Sequence, residues 1–293
     1  MSDRVIRGVA AGGQVLAFAA VTTDMVEEAR LRHGLSPVMS AALGRTMTAA
    51  AMMGLQLKSA EEEISIQIKG NGPAGGVYAV CNGEGHVRGY VDVPRVDLPL
   101  NAKGKLDVAR AIGIGVLSIV KDLGLKEPYV GSTHLVTSEI AEDLAYYFTV
   151  SEQVPSAVAL GVLVHPDESI WTSGGYMIQL LPGASDEVAE LLQQRCQAFP
   201  QLTTYLAQDH TPEEVLSTLL DGMDFELLQT LPVSFKCNCD KDRVERALIS
   251  IGAKDLQSLI DENEPVEMTC HYCNRKYNFT IDEVKELLKK AKA

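Results

Sequence analysis

Four of the six cysteines in this 293-residue sequence fall in two short pairs, Cys237-Asn-Cys239 and Cys270-His-Tyr-Cys273, with thirty residues between them. Cysteines so close together in sequence are not routine structural crosslinks. Two close pairs brought together can instead offer four thiolates to one tetrahedral zinc. Along an extended Cys-x-Cys both sulfurs lie on one side of the chain, so one strand end can chelate. The stretch 266–279 reads as a hairpin that turns at Cys270–Cys273. A plain disulfide or two unrelated pairs is the simpler alternative.

Other chemistry finds less support. His271 lies between two candidate ligands, where an added nitrogen is redundant, and reads as a bystander. His33, His86, His134, His165 and His210 show no metal spacing. A zinc hydrolase needs an open coordination position, usually with His or carboxylate ligands. A thiol oxidoreductase places Cys-x-x-Cys at a helix N-terminus to depress one thiol, whereas here the motif sits in a hairpin. Cys81 and Cys196 are isolated, and each reads as a small buried hydrophobe. The sequence does not point to an enzyme.

The elements that must position the four cysteines start near residue 233. Helices are expected over 241–251 and 254–261, between the two pairs. Thr280 and Glu283 form a capping box for a last helix that ends in lysines, cations suited to its dipole. A segment of about sixty residues with few aromatics has a meagre core and is expected to depend on its metal to fold.

Composition limits the remaining function classes. Hydrophobic residues make up 46% and charged residues 22%, as in a globular protein. No apolar run reaches the ~18 residues of a membrane span, and the first residues lack the pattern of a signal peptide. A cytoplasmic location is expected, where thiols stay reduced and clustered cysteines mean metal or redox chemistry. The net charge is −13. Residues 184–232 contribute nine acids against Arg195 alone, while residues 233–293 hold eleven bases and eleven acids. That balance opposes a zinc-ribbon nucleic-acid-binding protein, the main alternative, because no segment has the basic footprint that phosphate backbones require.

Upstream, a hairpin is expected over 5–10 and 15–21. Asp24 and Glu27 look like the start of a helix ending at Gly34, and Ser36-Pro37 starts another that runs to about residue 57. Met39, Met47, Met52 and Met53 on that second helix read as packed core. Strands are expected at 63–69, 76–81, 86–91, 115–121, 129–136, 157–165 and 170–181, with a helix capped by Ser138. The glycine-rich run 70–76 lacks the Gly-Lys-Ser/Thr ending of a phosphate loop and reads as a turn. From residue 185 to 230 the pattern is helical, with Thr211-Pro-Glu-Glu214 as a capping box and no strand signal. The expected fold is α+β: a mostly antiparallel sheet core over 1–183, a helical linker over 184–232, and a small zinc-binding domain over 233–293.

The cysteine pattern, together with residues 70–76, 86–91, 153–160 and 174–183, resembles the thirty-three-kilodalton redox-regulated heat-shock chaperones over the whole chain. One departure is Asp240, where that family often has Ser. The resemblance implies one zinc per chain in the reduced state, held by Cys237, Cys239, Cys270 and Cys273. It implies stress-induced disulfides Cys237–Cys239 and Cys270–Cys273, with loss of zinc and unfolding of the redox domain. The activity it implies is ATP-independent holding of unfolding client proteins, bound through apolar surface of the linker, by a homodimer in the oxidised state. No Walker-type motif occurs, and neither nucleic acid nor membrane is expected as a partner.

Overall fold

The computed structural model describes residues 2–292. They divide into two compact units, one up to Lys236 and the other from Cys237 onward. The first unit opens with the hairpin β1 (Arg4–Ala10) and β2 (Val15–Val21), then α1 (Thr23–His33) and α2 (Pro37–Gly54). Next come β3 (Glu63–Gly70), β4 (Gly76–Asn82), β5 (His86–Val91) and a short α3 (Val108–Ile112). β6 (Gly115–Asp122), β7 (Tyr129–His134), α4 (Ala141–Val150), β8 (Ser156–Val164) and β9 (Ile170–Leu180) follow. The unit closes with helices α5 (Asp186–Ala198), α6 (Leu202–Leu206) and α7 (Pro212–Leu219), then β10 (Glu226–Pro232) and β11 (Ser234–Phe235).

Two sheets result. One has the order β10-β1-β2-β9-β8, the other β11-β5-β4-β3-β6-β7. All their ladders are antiparallel except the short β11·β5 pair. This is the α+β architecture expected from the sequence. The main core gathers around α2, whose residues are all buried apart from Pro37 and Arg45. A helix that is apolar on every side needs cover on every side. α2 obtains it from both sheets: Val5, Phe18 and Met177 of the first share one cluster with Ile66, Ala79 and Val87 of the second. The four methionines of α2 lie in that cluster. The buried hydroxyls of Thr46 and Thr48 donate back to the carbonyls of Ala42 and Gly44, both at 2.8 Å, so the helix interior leaves neither unmet. The opposite face of the first sheet is covered by α5 to α7, where Leu192, Leu206, Val215 and Leu219 meet Ile6, Ala19 and Ile178.

Several expectations need correction. Residues 226–232 form a strand where no strand signal was read. β10 is exposed on nearly every residue and pairs with β1 through its backbone, so it carries no burial pattern to read. α1 starts at Thr23, not at an Asp24–Glu27 box; its first turn is held by the Asp3 carboxylate, which accepts from Met25 N–H at 2.6 Å. Glu27 instead pairs with Arg30 and accepts from Ile170 N–H. Ser138 does not cap α4; it sits at φ 63° and donates to the Gly113 carbonyl. Asp143 takes the organising role, accepting from the N–H groups of Val136, Thr137, Ser138 and Ile140. α3 was not foreseen. It explains the glycine-rich run, because a Cβ on Gly70 or Gly72 would collide with the carbonyls of Ile112 and Ala111.

Two outcomes test these contacts, with fluorescence of the chain's one tryptophan, Trp171, reporting unfolding of the first unit. Burial raises the Asp3 carboxyl to about 6, against the pull of its backbone donors. An acid whose folded value lies above its unfolded value of 3.8 holds its proton more tightly in the fold. Its contribution is therefore fullest below that unfolded value and is lost as the pH rises through about 6. Asp3→Asn should then gain on the parent, by on the order of 2–3 kcal/mol, between acid and neutral pH. A difference in urea midpoint that does not vary with pH would contradict this. Asp143→Ala should destabilise the unit by roughly 3 kcal/mol at neutral pH, because four backbone donors lose their acceptor.

Candidate metal centre

The second unit contains α8 (Lys241–Ser250), α9 (Ala253–Glu262), the hairpin β12 (Val266–Thr269) and β13 (Lys276–Phe279), and α10 (Ile281–Lys292). Among the described residues its buried apolar cluster is Leu248, Leu256, Phe279, Val284, Leu287 and Leu288. Cys237 and Cys239 lie on the chain just before α8. Asp240 follows them as that helix's N-cap, its carboxylate accepting from Arg243 N–H at 2.7 Å. Ser and Asp are both strong N-caps, which accounts for the departure noted at this position.

Cys270 and Cys273 occupy the tight turn of the hairpin. The Cys270 N–H donates to the Arg275 carbonyl at 2.9 Å, and the Cys270 carbonyl accepts from Asn274 N–H at 2.8 Å. Asn274 takes the left-handed conformation that closes the turn, φ 58°. The hairpin is thus bent back so that both sulfurs leave it on one side. The capping box of α10 forms as expected, with Thr280 Oγ1 and Glu283 each accepting from the other's backbone N–H. Glu283 also receives Lys241, whose ammonium holds the Glu283 carboxyl down to about 2 and sits 5.2 Å from the centre of the Phe279 ring. That contact ties the start of α8, next to one cysteine pair, to the start of α10, just after the other.

The result is a cluster of four sulfurs, Cys237, Cys239, Cys270 and Cys273, all within 4.8 Å of one another. Two approaches run between the pairs: 3.8 Å from Cys237 to Cys270 and 3.3 Å from Cys239 to Cys273. Sulfurs at 2.3 Å from a tetrahedral ion stand about 3.8 Å apart, so the cluster fits such an ion. An all-sulfur tetrahedral donor set suits zinc or iron. The thiols share their protons unevenly. A hydrogen bond from Cys237 holds the Cys270 thiol down to about 4, and the same bond pushes the Cys237 thiol up. Burial pushes Cys273 up to about 11. A cation among the sulfurs would relieve this competition by favouring all four thiolates.

Two neighbours of the cluster were not singled out from sequence. The Tyr277 hydroxyl donates to Cys239 Sγ at 3.2 Å, and the Arg275 guanidinium is held up first by its hydrogen bond with Tyr277 and then by its place beside Cys239 and Cys273. Only the register of β13, which turns residue 277 toward the sulfurs, makes that role visible. His271 is not among the clustered donors, and neither are Cys81 or Cys196. Cys81 is fully buried beside α2, and Cys196 is half-buried against Tyr176. His165 and His210 stack on Trp171 and Tyr205. Among the described residues no second group of potential metal ligands occurs.

Known proteins resemble the chain throughout. A family model described as "Hsp33 protein" matches residues 3–280. A 33 kDa chaperonin of Ruminiclostridium cellulolyticum is 48% identical over 289 residues, covering 99% of both chains. One from Lachnoclostridium phytofermentans is 49% identical over 288 residues, covering 98% of this chain and 99% of the relative. The crystal structure of the 33 kDa chaperonin of Thermotoga maritima superposes with a TM-score of 0.93 at 38% identity, covering 99% of each chain. With a matching family model over nearly its whole length and relatives close to half identical, the chain belongs to the Hsp33 family of chaperones.

Proposed function

We propose that this chain is an ATP-independent holdase for unfolding proteins, switched on by oxidation of Cys237, Cys239, Cys270 and Cys273. The observation that carries the reading is the four-sulfur cluster at the base of a unit with six buried core side chains. So small a core needs a crosslink to hold its fold. Zinc bound by the four thiolates would supply that crosslink, worth on the order of 10 kcal/mol in such modules.

The switch follows from the cysteines' own chemistry. A peroxide takes two electrons from a pair of thiols; one S–S bond forms, the O–O bond breaks, and water leaves. The proposed pairs are Cys270–Cys273 and Cys237–Cys239. Either disulfide removes two of the four ligands, and the unit then has less crosslink energy than it needs. The Cys237–Cys239 ring spans one intervening residue and is cramped, which favours ready reduction and a reversible switch. We further propose that loss of this unit loosens residues 184–232. The nine acids of that segment repel one another, while its apolar faces cover Ile6, Ala19 and Ile178. Uncovered, those faces would hold the apolar stretches of a client. The oxidised form is proposed to be a homodimer acting in the cytoplasm as part of an oxidative-stress response.

Reduced protein should bind one zinc per chain, and the double variant Cys81→Ser with Cys196→Ser should bind it equally. Metal analysis and the thiolate-to-metal absorption of a cobalt-substituted sample check this; a lower metal content in the double variant would remove the assignment. Peroxide with mild warming should release the metal, speed hydrogen exchange over 184–293, and keep a heat-unfolded client soluble without ATP. The warming opens the site to the oxidant. Metal loss with unchanged client aggregation would reduce the cysteines to a structural site. A peptide map giving Cys239–Cys273 would replace the pairing but keep the switch.

A further inference from the structure

β8 ends the first sheet, and among the described residues no other strand pairs with its outer side. Which backbone groups stay open follows from one contact. Leu180 N–H donates to the Pro155 carbonyl, so residue 155 faces β9. In an antiparallel ladder alternate residues face opposite sides, and each turns its N–H and C=O the same way. Residues 157 and 159 therefore face β9, while Ser156, Val158 and Leu160 turn both polar groups outward. Residues 156–160 are only half-buried, whereas Gly161 and Val162 are covered. The open edge is thus a short stretch at the start of the strand.

That stretch does not face plain solvent. It forms one wall of a groove of about 560 Å³ that also touches α4, through Ala145, and α5, through Ala189 and Leu192. Helices thus lie on both sides of the open edge, and the groove between them is lined by Ala145, Ala189, Leu192 and Ile178 with Gln193 and Gln197 among them. No Lys or Arg lines it, whereas Glu142 does, and Asp186, Glu187 and Glu190 lie along α5. An unpaired edge asks for backbone, the apolar walls ask for alternating apolar side chains, and the acidic surround asks for basic ends.

We propose that the outer edge of β8, with the groove between α4 and α5, binds an extended apolar chain segment with basic ends as an added strand of the first sheet. The identity of its natural source, an unfolding protein, rests on the holdase reading; the site itself does not. The edge belongs to the first unit and is present in the reduced chain. One short ladder holds a segment but does not shield a whole unfolding protein, so binding here is compatible with a reduced form that leaves client aggregation unsuppressed.

The test uses reduced, full-length protein and a fluorescently labelled, strand-length peptide of alternating valine and threonine with lysines at both ends. Saturable binding by anisotropy is expected. N-methylating the peptide on the alternate residues that face β8 should weaken it by roughly tenfold or more, while methylating the other register should not. Ala189→Trp, which fills the groove, and Val158→Pro, which removes an outward N–H, should cost as much. Exchanging the terminal lysines for glutamates should also weaken binding. No saturable binding by the parent chain overturns the proposal. So does equal binding of both methylated peptides, which would mean the groove takes side chains without a ladder. A concentration-dependent dimer of the reduced chain that Ala189→Trp disrupts, and that the peptide fails to displace, assigns the edge to a second copy instead. An oxidised chain that protects clients while the reduced chain binds no peptide sinks this site alone; the reverse result sinks the switch alone.

Discussion

Four sulfur atoms within 4.8 Å of one another can stay together only while protons or a cation separate their charge. Everything in the second unit serves or suffers that constraint. The turn at Cys270–Cys273, the cap at Asp240 and the Lys241–Glu283 contact each fix one approach of the chain to the sulfurs. Behind them lies a small core, with six buried side chains among the described residues. Chemistry at the sulfurs is therefore also chemistry on the fold.

The first unit obeys a different logic. Its central helix α2 is enclosed by two sheets, and its buried Thr46 and Thr48 hydroxyls are satisfied within the helix, Thr48 also by Thr22. None of this depends on the cysteine cluster. The layer of α5 to α7 has the opposite character. It is amphipathic and acidic, and it meets the sheet with one apolar face. A bridge from Arg4 to Glu213 at 2.7 Å joins it to β1, but that bridge is partly exposed and contributes modestly.

The two ends of the first sheet differ in a way that matters for binding. β10 is bare on both faces and held by one ladder, with a register shift opposite Gly8. A Cβ on Gly8 would collide with Phe225 and the Glu226 carbonyl, so the strand is admitted there only because no side chain stands in its path. β8, at the other end, is flanked by helices and keeps half of its outer edge open. One end is a strand with few restraints, the other an open edge beside a groove.

Much of this was legible in the residues. The glycine turn marked the hairpin at the N-terminus, alternation marked the strand at 63–69, and the capping boxes at Thr211 and Thr280 stood as read. The ligand spacing named the four cysteines before any coordinates, because close pairs and a hairpin are local properties. What stayed hidden was long-range. Asp3 holds the first turn of α1 from 22 residues away, and Tyr277 reaches Cys239 across 38 residues. β10 was missed because its partner is the backbone of β1, and a backbone partner leaves no mark on composition. Sequence by itself determined which groups could react and which faces must be buried, since both follow from side-chain type and period. Only the tertiary structure decided which hydrogen-bond donor meets which acceptor and which edge stays open, because those depend on segments far apart in the chain arriving at the same place.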